Sequence, residues 1–205
     1  MPAPERPVLM IDMGGVFFSY SFTGALAAWA RAAGTDPEEL GRRWRIDEPF
    51  DAFERGEITP GAYLGHLRRL LQIQLDDTAL AAGWNAIYGH VDAALVELLA
   101  DPRVRARFGR IVGVSNTNAL HAGFWRELYR EQLPVLDTLY CSHEFGATKP
   151  TAAFFDHVAA DCGLARSGLV LVDDIAIVVQ SARDLGVPAH QYQDAGELAG
   201  FLTAF

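Results

Sequence analysis

The chain has 205 residues, half of them apolar and 21% charged, with 17 Lys and Arg against 26 Asp and Glu and a formal net charge of −9. That composition supplies the core of one compact domain, or of a domain with a modest insertion, and excludes a disordered chain. The negative balance and the scattered arginines (Arg42, Arg43, Arg68, Arg69, Arg103, Arg105) argue against a nucleic-acid partner, whose phosphates call for clustered cations.

In chain order, residues 1–7 are polar and proline-rich, with no apolar stretch of signal length. No run approaches the ~20 apolar residues of a membrane span, so no membrane is expected as partner. Two cysteines, Cys141 and Cys162, make no disulfide framework, and a reduced cytoplasm is the expectation. The first strand-like run, 8–11, leads into Asp12. Further runs cover 111–114 before Ser115, 138–141, and 169–172 before the pair Asp173-Asp174. Their hydrophobicity is continuous and rich in β-branched residues, as in strands of a parallel sheet covered on both faces. Helical patterns at 119–130, 152–162, 177–185 and 195–203 follow these runs. The alternation predicts a doubly wound, Rossmann-like α/β core.

The interval 19–110 reads differently. Helical patterns occupy 24–33, 37–44, 60–71, 78–87 and 92–99, and no strand-like run interrupts them. Asp36-Pro37 and Thr59-Pro60 are good helix starts, with proline at the first helical position. So long a helical stretch is no ordinary crossover; it predicts an α-helical cap over 19–100 inserted into a core made of 1–18 and 101–205.

In an open parallel sheet, ligands bind beyond the carboxyl ends of the strands. Asp12, Ser115 and Asp173-Asp174 fall at that edge, and Lys149 lies in a loop, Gly146-Ala-Thr-Lys-Pro150, before a helix. Carboxylates hold a hard divalent cation through oxygen, while a hydroxyl, backbone amides and a lysine neutralise phosphoryl oxygens.

Asp12-Met-Gly-Gly-Val16, Ser115-Asn-Thr117, Lys149-Pro150 and Asp173-Asp174 resemble, in order and spacing, motifs I to IV of the haloacid dehalogenase-like (HAD) superfamily. The run Ser115 to His121 followed by Phe124-Trp125, the run Ser142 to Pro150, and Glu54-Arg-Gly-Glu-Ile-Thr59 are similar to a narrower branch. That branch holds the bacterial α-D-glucose-1-phosphate phosphatases, with a small C1-type helical cap. The resemblance implies a hydrolase of a small phosphorylated metabolite, a sugar phosphate before others, working through an aspartyl-phosphate on Asp12. It implies Mg²⁺ held by Asp12, the Gly14 carbonyl and Asp173, with Asp174 as a further ligand or support. Ser115, the Asn116 amide and Lys149 would bind the phosphoryl group.

Two positions depart from that pattern. Gly14 stands where most phosphatases of the superfamily carry a second aspartate that protonates the leaving oxygen; the glucose-1-phosphatase branch also shows glycine there. A cap residue could take over the role, and His66 and His90 are candidates. After Asp174 the chain continues with the apolar Ile175 to Val179, where a further Asp or Asn is usual. These departures keep a second reading open, a HAD-fold binding or regulatory protein with impaired catalysis. A dehalogenase-type hydrolase is the third, opposed by the paired acids Asp173-Asp174, which would repel a carboxylate substrate. Trp29, Trp44, Trp84 and Trp125 are expected in packing.

Overall fold

The computed structural model describes residues 6–205. The strands are β1 (Val8–Asp12), β2 (Phe18–Tyr20), β3 (Tyr88–Val91), β4 (Arg110–Ser115), β5 (Thr138–Cys141), β6 (Leu169–Asp173) and β7 (Ala189–Gln191). The helices are α1 (Phe22–Ala33), α2 (Pro37–Arg43), α3 (Glu48–Glu54), α4 (Pro60–Leu71), α5 (Asp77–Trp84), α6 (Ala93–Ala100) and α7 (Pro102–Arg105), followed by α8 (Ala119–Leu128), α9 (Ser142–Phe145), α10 (Ala152–Cys162), α11 (Ala176–Asp184) and α12 (Ala195–Leu202). Five strands form one parallel sheet in the order β5-β4-β1-β6-β7, with β1 at its centre.

Every residue of β1 and β6 is buried, as continuous apolar runs require of central parallel strands. The two faces separate by strand period. Leu9 and Ile11 pack into a cluster with Leu95 and Leu99 of α6, Trp125 of α8 and Leu198 of α12. Val8 and Met10 face the other way, onto Phe154, Phe155 and Val158 of α10 and Val179 of α11. Helices therefore cover both faces of the sheet, and the doubly wound α/β architecture is the observed one. Among the described residues no helix is long and apolar enough to cross a membrane.

Helices α1 to α5 form the insertion, with a core of their own: Trp29, Leu40, Phe50, Phe53, Tyr63, Leu67, Leu80 and Trp84. Their starts follow local chemistry. Asp36, Asp47, Thr59 and Asp76 each accept a backbone N–H in the first turn of the helix that follows. Proline stands in the first turn of α2, α3 and α4, where its missing N–H is not needed.

Three elements differ from the sequence reading. The interval expected to be wholly helical carries β2 and β3, an antiparallel ribbon pairing Phe18 with Val91 and Tyr20 with Tyr88. It leads the chain into the insertion and out again. Helix α3 was not foreseen, since its seven residues hold two charged turns around Phe50 and Phe53. Strand β7 has only three residues, with one apolar side chain, and shows no run to read.

The insertion depends on close packing around its tryptophans. Trp29 stacks on Trp84 with centroids 6.0 Å apart, and its indole N–H donates to the Leu80 carbonyl at 2.9 Å. Gly83 leaves room for that ring: a Cβ there would stand 2.1 Å from Trp29 Cδ1 and Nε1. With Trp29 fully buried, the ring has nowhere to move. Gly83→Ala is expected to lower unfolding free energy by ~1–3 kcal/mol in urea denaturation, as overpacked cores do, and a wild-type midpoint would contradict this packing.

Candidate active site

The three central strands end at one edge, and each ends on a polar residue: Asp12 on β1, Ser115 on β4 and Asp173 on β6. Register aligns them, with Asp12 beside Val114 and Ile11 beside Val172. The loop between α9 and α10 brings Lys149 to the same edge. Its Nζ donates to Asp12 Oδ1 at 2.5 Å and to Asp173 Oδ2 at 2.6 Å, all three side chains being at least nine-tenths buried. Its backbone is fixed from both sides. Lys149 N–H donates to Asn116 Oδ1, and Asn116 Nδ2 donates to the Lys149 carbonyl, both at 2.8 Å. Ser115 is buried beside them.

Asp174 lies against the turn after β1. A Cβ on Gly15 would sit 2.4 Å from Asp174 Oδ2, and Gly15 has φ +93°, so glycine is required there twice over. The backbone N–H of Ile175 donates to Asp173 Oδ1 at 3.0 Å and orients that carboxylate.

Charge is out of balance at this edge. Three carboxylates face one ammonium. Burial raises the Asp12 carboxyl to about 7, with Lys149 pulling it down and Asp173 pushing it up. Burial also draws the Lys149 ammonium down, but Asp12 and Asp173 outweigh it and hold it above its ordinary value. Asp174 is raised by burial and by Asp173, and its buried Oδ1 has no hydrogen-bond partner. Asp12, Asp173 and Asp174 each offer an oxygen within 4.8 Å of the others. Hard oxygen donors, excess negative charge and an orphaned carboxylate oxygen fit a magnesium ion.

A cavity of about 250 Å³ opens over Asp12, Ser115, Asn116, Lys149 and Asp173. Its walls are mostly apolar, from the ribbon (Phe18, Tyr20, Tyr88) and the insertion (Phe22, Ile46, Phe50). The polar exception is Glu54, the last residue of α3. Burial and the neighbouring Asp51 raise its carboxyl to about 7, against a downward pull from Lys149. The sequence showed Glu54 only as part of the Glu54–Thr59 run; nothing local marks a helix-terminal glutamate as facing a cavity. His121 also lines the cavity, but its ring is engaged. Nε2–H donates to the Trp84 carbonyl at 3.0 Å, Nδ1 accepts from Asn118, and burial lowers its pKa to about 3. The histidines weighed from the sequence lie elsewhere: His66 pairs with Asp47 and His90 with Ser19, and neither lines this cavity. Trp125 does line it, while Trp29 is packing.

No family model matches the chain. It is 28% identical to phosphatase MT3486 of Mycobacterium tuberculosis over 92% of this chain and 88% of that protein. A HAD family enzyme of Bacteroides thetaiotaomicron, bt-2542, solved as a magnesium complex, superposes with a TM-score of 0.77 at 24% identity over 98% of this chain and 99% of the other. The same enzyme has been solved with magnesium and inorganic phosphate, at a TM-score of 0.75. A Porphyromonas gingivalis protein described as a predicted HAD-like family hydrolase matches with a TM-score of 0.77 at 19% identity, over 98% of each chain. The fold is that of the HAD-like hydrolases.

Lys149→Met would leave Asp12 and Asp173 buried without their cation. Loss of one partner from a buried ionic cluster removes ~3–5 kcal/mol, and urea unfolding in chelator should show it. An unchanged unfolding free energy would contradict the pairing.

Proposed function

We propose that the chain is a Mg²⁺-dependent phosphomonoesterase acting on a small phosphorylated metabolite, with sugar phosphates the first class to test. The observation that carries this reading is the meeting of Asp12, Asp173, Asp174 and Lys149 at the carboxyl edge of the sheet. The phosphatase name of the mycobacterial relative and the magnesium and phosphate of the Bacteroides enzyme point the same way.

Asp12 is the nucleophile: a carboxylate oxygen attacks phosphorus, the bond to the leaving oxygen breaks, and water then hydrolyses the aspartyl-phosphate. Lys149 neutralises the transferring phosphoryl oxygens, and the Ser115 hydroxyl and Asn116 amide bind them. The carboxylates of Asp12 and Asp173 and the Gly14 carbonyl would hold Mg²⁺, with Asp174 beside them. When bound, the ion would offset the charge repulsion between an anionic nucleophile and an anionic substrate. Within the expected interval 19–100, we assign α1 to α5 the part of a cap whose apolar wall excludes water from the phosphoryl group, since α6 packs with the sheet. A cavity of about 250 Å³ takes a small substrate. Its aromatic rings give a flat face to a sugar, and Tyr20 and Tyr88 offer hydroxyls with no hydrogen-bond partner among the described residues. Dehalogenation needs no metal, and without a cation between them the carboxylate excess repels a haloacid, which disfavours that reading.

The test is a panel of phosphorylated metabolites with and without Mg²⁺. Turnover is expected only with the ion, and Asp12→Asn should abolish it without lowering the melting temperature, because the substitution relieves repulsion with Asp173. Wild-type inactivity across the panel would overturn the reading and favour a non-catalytic binding protein; activity retained by Asp12→Asn would reject the nucleophile.

A further inference from the structure

Gly14 leaves the site without a proton donor next to the nucleophile, and departure of an alkoxide without one is slow. Of the carboxyl groups lining the cavity, Asp12 and Asp173 are tied to Lys149. The remaining one is Glu54, whose carboxyl makes no hydrogen bond among the described residues. The backbone beneath it is held fast. Ser142 Oγ donates to the Glu54 carbonyl at 2.6 Å and accepts the Thr117 N–H at 2.9 Å. One buried hydroxyl therefore couples Glu54 to the strand end that carries Ser115. Two residues on, Gly56 has φ +70° and rests on the His143 carbonyl, where a Cβ would stand 2.2 Å away. Glu54 is positioned by the core, although it belongs to the insertion.

We propose that Glu54 is the general acid and base of this site, an inference that rests on the phosphatase reading above. As the Asp12 oxygen bonds to phosphorus and the phosphorus–oxygen bond of the ester breaks, the Glu54 carboxyl passes its proton to the departing oxygen, which leaves as an alcohol. The Glu54 carboxylate then takes a proton from the water that attacks phosphorus. The aspartyl-phosphate bond breaks, Asp12 returns as carboxylate, and inorganic phosphate leaves. Both protonation states must be accessible near neutrality. Burial and Asp51, opposed by Lys149, put the carboxyl at about 7. The other titratable groups facing it are the hydroxyls of Tyr20, Tyr63 and Tyr88, each raised by burial and staying neutral in this range. His121, the one histidine lining the cavity among the described residues, is held neutral by burial.

The experiment compares wild type and Glu54→Gln on an alkyl phosphate and on p-nitrophenyl phosphate, reading kcat/KM, which covers the steps through loss of the leaving group. Nitrophenolate leaves without help and an alkoxide does not. The variant should lose ~10²–10⁴-fold on the alkyl ester and keep its value on the nitrophenyl ester. In wild type, kcat/KM for the alkyl ester should fall as pH rises through about 7, as Glu54 gives up its proton, and the variant should lack that limb. Equal loss on both esters, no loss on either, or a surviving alkaline limb would overturn the assignment. Inactivity of the wild type on both esters would instead overturn the phosphatase reading itself, and this proposal with it.

Discussion

Lys149 stands between two buried carboxylates and satisfies both, yet the edge keeps an uncompensated negative charge once Asp174 is counted. Burial makes that excess expensive, since charge removed from water must be paired or neutralised. The arrangement is tolerable because the groups rest on rigid supports. Asp12 and Asp173 are the terminal residues of adjacent central strands, and the lysine's backbone is held by the side chain of Asn116. Stored like charge of this kind suits a divalent cation.

The insertion contributes through one contact more than through its bulk. Its own core of stacked tryptophans and tyrosines makes α1 to α5 a body that holds its shape. The Ser142 hydroxyl and the approach of Gly56 to the His143 carbonyl then fasten the end of α3 to α9. Trp84 stacks on His121 of α8 with ring centroids 4.5 Å apart, a second contact between the two bodies. The cavity is consequently apolar over most of its wall and polar at its floor, an arrangement in which a proton donor acts at low dielectric.

The parts legible in the sequence share a physical signature. Strands buried on both faces are continuous apolar runs, and each central one stops where a polar residue meets the open edge, so Asp12, Ser115 and Asp173 stood out without any structure. Lys149 was legible because Gly146 to Pro150 breaks the chain just ahead of a helix. The ribbon escaped because β2 and β3 have three and four residues and expose Tyr20, Gly89 and His90. Strand β7 escaped for the same reason. Glu54 carried no local mark: its environment is made by Phe50 on its own helix, Tyr88 on the ribbon, and Lys149 from the far half of the chain. Leu95 and Leu99, although they follow the insertion's helices in sequence, pack with β1 because the ribbon has already returned the chain to the sheet.

A crystal structure of the chain with Mg²⁺ and beryllium fluoride tests the central claim most directly, because the fluoride mimics a phosphoryl group only on a carboxylate competent to accept one. Beryllium bonded to the Asp12 carboxylate, Lys149 turned onto its fluorines and Mg²⁺ between Asp12 and Asp173 is the expected result. Asp12 still joined to Lys149 at saturating fluoride, with Mg²⁺ bound elsewhere or not at all, would contradict it.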